Sequence, residues 1–179
     1  MTIYTKNGDQ GETKLCDGLE IGKDDLRIEV IGSIDELNSF LGIVKTTQQI
    51  PSKIIDNIEI IQRDIMQISS RVAKFNGSKP NKNRTQEMEE VIDAIWQEVP
   101  KLNQFLIPGK NEISARLHYC RALARKVERN LVKMSKEEGI DSDFIKYFNR
   151  LSDLLFSFAY RCEQKIEDRG EGRVFTNER

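Results

Sequence analysis

The chain has 179 residues, which suits one domain with its own core. Lys+Arg total 28 and Asp+Glu 29, so the net charge of -1 gives no general nucleic-acid footprint. No apolar run is long enough to span a bilayer, and the start, Met1-Thr2-Ile3-Tyr4-Thr5-Lys6, lacks the apolar stretch of a signal peptide.

Thr5 to Gly22 is rich in Gly, Thr, Asp and Lys and has no helical period. It reads as a loop with a short extended piece at Thr13 to Cys16. From Asp24 the pattern changes. Leu26, Val30, Ile34, Leu37, Leu41 and Val44 alternate by four and three, which lines one helix face. Asp24 and Asp25 stand where a cap and a first-turn acid start such a helix. A second helix runs from about Pro51 to Phe75 on the stripe Ile54, Ile58, Ile61, Ile65, Ile68 and Val72. Asn76-Gly77-Ser78-Lys79-Pro80-Asn81 then breaks it. A third spans roughly Thr85 to Val99, with Met88, Val91, Ile92, Ile95 and Trp96 facing inward and Pro100 ending it.

Phe105-Leu106-Ile107-Pro108-Gly109 is an apolar extended segment with a turn, able on its own terms to plug the end of a bundle. A fourth helix, about Asn111 to Glu138, carries the seam Ile113, Leu117, Cys120, Ala124, Val127, Leu131 and Met134, and Gly139 stops it. Asp141 or Ser142 caps a fifth, with Phe144, Phe148, Leu151, Leu155, Phe158 and Cys162 on its stripe. Five helices with short connections and almost no strand signal predict an all-α, five-helix antiparallel bundle. The predicted organisation is a single domain: an arm over residues 1–23, the bundle over 24–167 and a polar, mobile tail over 168–179. Cys16, Cys120 and Cys162 lack C-x-x-C spacing, and two lie on apolar faces, so free thiols in the cytoplasm fit best. His118 is the only histidine, which argues against a zinc site.

Three polar features stand apart from a plain bundle. Thr5-Lys6-Asn7-Gly8-Asp9-Gln10-Gly11-Glu12-Thr13 combines glycines, hydroxyls and an ammonium, a mixture that can hold a polyphosphate. It matches neither phosphate-loop consensus, and a turn-rich arm without ligand accounts for it too. On the fourth helix Arg121, Arg125 and Glu128 share a face at the border of the seam, with Lys126 and Arg129 nearby. On the fifth, Asn149 and Asp153 flank core residues. These groups form either an inter-helix salt-bridge network or an anion site whose arginines grip phosphates. On the first helix Asp35 lies beside Ile34, where it is either solvated or paired, with Arg121 as a candidate partner.

Those positions carry a resemblance. Ile3 to Gly11, Lys23 to Arg27, Gly32 to Ser39, Phe105 to Gly109, Leu117 to Arg129 and Asn149 to Asp153 closely resemble the propanediol-utilisation type of ATP:cob(I)alamin adenosyltransferases, in family order from Ile3 to about Ala159. The resemblance implies a ferritin-like bundle, assembled as a homotrimer with active sites between subunits. It implies transfer of the 5′-deoxyadenosyl group of ATP to the cobalt of cob(I)alamin. ATP would be held by Thr5, Lys6, Asn7, Gly8, Thr13, Lys14, Lys23, Arg125, Lys126, Val127, Glu128, Arg129 and Asn149, with Mg2+ on its phosphates. Phe105, Asp35 and Arg121 would position the corrinoid, the last two as a salt bridge across the subunit interface. Arg121, Arg125, Asp35 and Phe105 are the expected catalytic set. Lys110, Lys126 and Lys14 depart from the residues usual in the family, and Gln48 to Leu102 matches only in pattern. A corrinoid reductase or an adenosylcobalamin-dependent enzyme is an expected partner. A non-catalytic, ATP-sensing or corrinoid-delivery trimer of the same fold is the alternative.

Overall fold

Why these sequences become helices is visible at their ends. In the computed structural model, which describes Tyr4 and residues 6–75 and 80–164, α1 spans Leu26–Lys45. Asp25 caps it, its carboxylate accepting from the Arg27 N–H at 2.7 Å. α2 covers Ser52–Val72 behind Pro51, and α3 covers Arg84–Glu98. α4, Glu112–Glu138, begins with a reciprocal cap between Asn111 and Ser114. It ends at Gly139, whose φ of 65° is the left-handed conformation glycine tolerates. Asp141 caps α5, Ser142–Glu163. The sequence reading placed every helix within a few residues of these bounds. Thr5, most of the 76–81 breaker and the 168–179 tail lie outside the described residues.

The extended piece foreseen in the arm is one half of a pair. β1, Glu12–Lys14, runs antiparallel to β2, Glu20–Gly22, with Thr13 opposite Ile21. β2 escaped notice because Glu-Ile-Gly has no alternation to reveal it.

Successive helices alternate in direction. Lys45 meets Glu59 and the Asn38 carbonyl accepts from Gln62, so α1 and α2 are antiparallel. Lys126 meets Glu36 while Arg116 reaches the Ile43 carbonyl, which orients α4 against α1. Asn111 bonds to Cys162 and Asn149 to Glu128, which orients α5 against α4. The alternation makes α3 and α5 parallel neighbours, joined by Trp96 to Ser157 and Arg150 to Glu89. α4 lies between α1 and α5.

The predicted stripes make one continuous core, in which Ile34, Leu37, Leu41, Ile58, Ile61, Ile65, Ile68, Leu117, Phe148 and Leu155 are essentially inaccessible. Each such side chain contributes about 1.5–3 kcal/mol. Ile92 and Trp96 are only partly buried, because they edge a groove between α3 and α5 rather than filling the centre. Cys120 and Cys162 are free thiols, both pushed up to about 12 by burial.

Two buried arginines tie helices together. Arg27 donates to the Val72 carbonyl and pairs with Glu138, which ties the starting end of α1 to the finishing ends of α2 and α4. Asp64, in the middle of the α2 isoleucine stripe, accepts from Arg84 at 2.7 Å and from the Tyr147 hydroxyl at 3.2 Å. Burial pushes the Asp64 carboxyl up, and Arg84 opposes that shift. Removing one partner strands the other without solvent. We expect Arg84→Ala to lower unfolding free energy by about 3–5 kcal/mol in urea titrations, and Asp64→Leu with Arg84→Met to cost clearly less.

Candidate functional site

The arm is folded against its own lysine. Gly8 accepts a 2.7 Å hydrogen bond at its carbonyl from Lys23 Nζ, and a Cβ at Gly8 would sit 2.8 Å from that nitrogen. Turn hydrogen bonds from Asp9 to Lys6 and from Gly11 to Gly8 close the loop, and the Lys23 N–H donates to the Gly11 carbonyl at 2.8 Å. Lys6 has a φ of 63° and is exposed. Thr13 and Lys14 sit on β1, where Lys14 faces Glu20 at 3.9 Å. The hairpin is anchored to the bundle where Cys16 N–H donates to the Ala73 carbonyl, at the end of α2. The arm thus carries three lysines, Lys6, Lys14 and Lys23, at the end of the bundle where α1 begins, with Lys23 held on the Gly8 turn. Thr5 lies outside the described residues.

On α4 the arginines divide by face. Arg125 and Arg129 point outward, and no hydrogen bond or ion pair engages either among the described residues. Arg121 stands on the edge toward α5, half-buried, with its Nε buried and unpartnered by any protein group. Glu128 lies on that edge too and accepts from Asn149 Nδ2 at 3.0 Å. Lys126 is on the opposite edge, at 2.9 Å from Glu36 and 3.9 Å from Glu29. Its ammonium is held above the ordinary range by the hydrogen bond to Glu36. Val127 is fully buried in the core, so its side chain packs there and is not available to a nucleotide in this chain. Asp153 pairs with Arg150 at 2.8 Å, and Arg150 also meets Glu89 at 3.0 Å. Part of the polar set is thus the salt-bridge network that the sequence also allowed, and the guanidinium groups of Arg125 and Arg129 are outside it.

Asp35 and Arg121 do not meet within one chain. On α1, Glu36 faces α4 and Asn38 faces α2, which leaves Asp35 on the outward face with Gly32 and Ser39. Phe105 and Ile107 stand fully exposed on the connection from α3 to α4, at the end of the bundle opposite the arm. Arg121 and Arg129 are about 12 Å apart along α4, between those two ends. Among the described residues, no hydrogen bond or ion pair joins the arm, the outward arginines, Asp35 and the Phe105 loop to one another. Among the described residues no group of three or more His, Cys, Asp or Glu side chains gathers to hold a metal. No described helix is long and apolar enough to cross a membrane.

Sequence reasoning used His118 only to argue against zinc. The structure buries it at the α4–α5 seam, Nε2 at 3.7 Å from Glu163 Oε1. The available signal was its position three residues before Arg121, which puts both on one face.

Residues 3–162 match the family model described as Cobalamin adenosyltransferase. A corrinoid adenosyltransferase of Citrobacter freundii is 37% identical over 173 residues, covering 93% of this chain and 97% of the relative. One of Bacillus subtilis is 35% identical, covering 89% of this chain and 85% of its own length. The chain spans about half, 49%, of another Citrobacter freundii relative, the corrinoid adenosyltransferase PduO, at 34% identity. Among solved structures, a variant PduO-type ATP:corrinoid adenosyltransferase from Lactobacillus reuteri complexed with cobalamin and ATP superposes with a TM-score of 0.83 at 32% identity, covering 90% of this chain and 91% of that one.

Free guanidinium groups contribute little to folding. Arg125→Ala and Arg129→Ala are expected to leave the unfolding midpoint unchanged, within about 0.5 kcal/mol. Lys126→Ala, which removes an α1–α4 pair, is expected to cost about 0.2–1 kcal/mol in the same denaturant titration.

Proposed function

Because the chain belongs to the cobalamin adenosyltransferase family, we propose that it transfers the 5′-deoxyadenosyl group of ATP to the cobalt of a cob(I)alamin, releasing triphosphate. The observation that carries this reading is the family match across residues 3–162. It is supported by the outward arginines of α4, which no described residue engages, and by the exposed Phe105, residue types that could supply charge and an apolar wall for that chemistry.

In this reading cobalt(I) is the nucleophile. A cobalt–carbon bond forms at C5′ of ATP, the C5′–O5′ bond breaks, and its electron pair leaves on triphosphate. No side chain needs to supply a proton for that step. The protein's tasks are to aim C5′ at the metal, to stabilise the leaving anion and to exclude water. Lys6 and Lys23 at the arm, with Arg125 and Arg129, supply preorganised positive charge for the phosphates. Asn7, Gly8, Thr13 and Lys14 line the same arm, and Asn149 with Glu128 borders the arginine face. A magnesium ion would ride on the phosphate oxygens, where water and phosphate satisfy its octahedral demand without a protein cage. Phe105 lies against the corrin and keeps water from the cobalt, which favours its low-coordinate, reducible form.

The reading assembles the site from two copies. Asp35 and Arg121 cannot pair within a chain, and neither the arm nor Phe105 meets the outward arginines there, so a cytoplasmic homotrimer with inter-subunit sites accounts for all four. Reduced corrinoid would arrive from a reductase. The test is a visible spectrum of protein, ATP and chemically reduced cobalamin. The expected result is a light-sensitive cobalt–carbon product and one triphosphate per turnover. Corrinoid and ATP binding without product would favour a sensing or delivery protein instead. We expect Phe105→Ala to lower kcat by more than about tenfold while the KM for ATP stays within about threefold, and Arg125→Ala to raise that KM.

A further inference from the structure

Among the described residues, four buried polar atoms at the α4–α5 seam lack a hydrogen-bond partner: His118 Nδ1, His118 Nε2, Arg121 Nε and Glu163 Oε1. Orphans of this kind are rare in a folded interior, and four in one cluster demand a reason. Their chemistry is complementary. A neutral imidazole carries one N–H and one bare nitrogen. Glu163 Oε1 can only accept, and Arg121 Nε can only donate. The imidazole is 4% exposed, and the Glu163 side chain 3%.

The groups around the imidazole are few. From α5 come Glu163 and the Phe156 ring, at 5.8 Å in an edge contact. From its own helix comes Arg121, one turn on. Phe156 in turn stacks on Trp96 of α3, and the nearby Arg161 of α5 is held by Glu98 of α3 at 3.0 Å. Glu163 and Arg121 are therefore the charges that bear on His118. Burial holds the imidazole below its usual value of 6.5. Glu163 opposes that and Arg121 adds to it.

We propose that Glu163, His118 and Arg121 form one donor–acceptor chain, in which Glu163 Oε1 accepts from Nε2–H and Nδ1 accepts from Arg121 Nε–H, so that the neutral imidazole positions the guanidinium for the reaction. Closing the 3.7 Å contact between Nε2 and Oε1 to a hydrogen bond needs less than about 1 Å of side-chain movement. Glu163 fixes which nitrogen keeps the proton. A protonated imidazole has no lone pair for Arg121 and carries a like charge three residues away, so acid releases the guanidinium. His118 and Glu163 are positioning residues and touch no substrate. The proposal rests on the adenosyl-transfer reading for the role of Arg121.

Because His118 is the only histidine, 15N-histidine labelling reports it alone. In the full chain, long-range 15N–1H correlation is expected to show Nε2–H with a bare Nδ1 at pH 8. Glu163→Gln is expected to lower the imidazole pKa, and Arg121→Ala to raise it. In kinetics, kcat of the wild type falls as the imidazole is protonated. His118→Gln, which cannot titrate, loses that acid limb, while His118→Leu lowers kcat by about tenfold with little change in the KM for ATP. An Nδ1–H tautomer, or a pKa that both substitutions leave unmoved, would overturn the chain. So would an acid limb that survives in His118→Gln. A wild type that makes no cobalt–carbon product at any pH would remove the adenosyl-transfer reading, and the resonance data would still stand or fall by themselves.

Discussion

Arg125 and Arg129 project from a helix whose other faces are already committed. α4 gives one edge to α1 through Lys126, and its other edge to α5 through Glu128 and Asn149. The apolar seam between them is fully buried. What remains is an outward strip of guanidinium groups with no acidic partner among the described residues. Arginine pairs readily and bidentately with oxyanions, so a strip left open is a demand for phosphate or for another surface. The arm, Asp35 and Phe105 are in the same condition, each complete in local structure and each facing outward. The trimer with shared sites proposed above would satisfy all of them with one kind of contact.

The electrostatics of the interior and of this strip differ in purpose. Arg27 and Arg84 are sealed among carbonyls and carboxylates, where losing a partner is costly. They hold helix ends together, Arg27 directly beneath the hairpin that carries the arm. The exposed arginines add little to stability and are free to change partners. The arginines that hold the fold and those proposed to hold phosphate are thus different residues of similar sequence appearance. Removing the outward pair is therefore expected to leave the chain folded.

The helices were legible because each carries an uninterrupted four-three stripe bounded by a capping aspartate, asparagine, proline or glycine. β2 was not, since three residues without alternation carry no period. The groove left Ile92 and Trp96 half-covered because periodicity tells which face is apolar and not how wide its neighbour is. Asp64 went unremarked beside the isoleucine stripe, because its partner is twenty residues on, a tertiary fact no local rule reaches. The family was legible in the sequence, and the geometry of the candidate site was not. Segments around Gly8, Asp35, Phe105, Arg121 and Asn149 carried the family resemblance, yet nothing in their spacing says that they diverge within one chain. Val127 was drawn into the nucleotide list by its place between Lys126 and Glu128, and helical phase turns its side chain into the core.

The shared site can be tested by mixing subunits. A Lys6→Ala, Lys23→Ala chain lacks two of the arm's three ammonium groups, and an Arg125→Ala, Arg129→Ala chain lacks the guanidinium strip; each is expected to be nearly inactive alone. Co-refolded into mixed assemblies, some sites take an intact arm from one chain and an intact strip from the other. The account predicts that adenosylated corrinoid then forms at a substantial fraction of the wild-type rate. Mixed assemblies that are proven by mass yet remain as inactive as either parent would contradict it, because each site would then draw its arm and its arginines from a single chain.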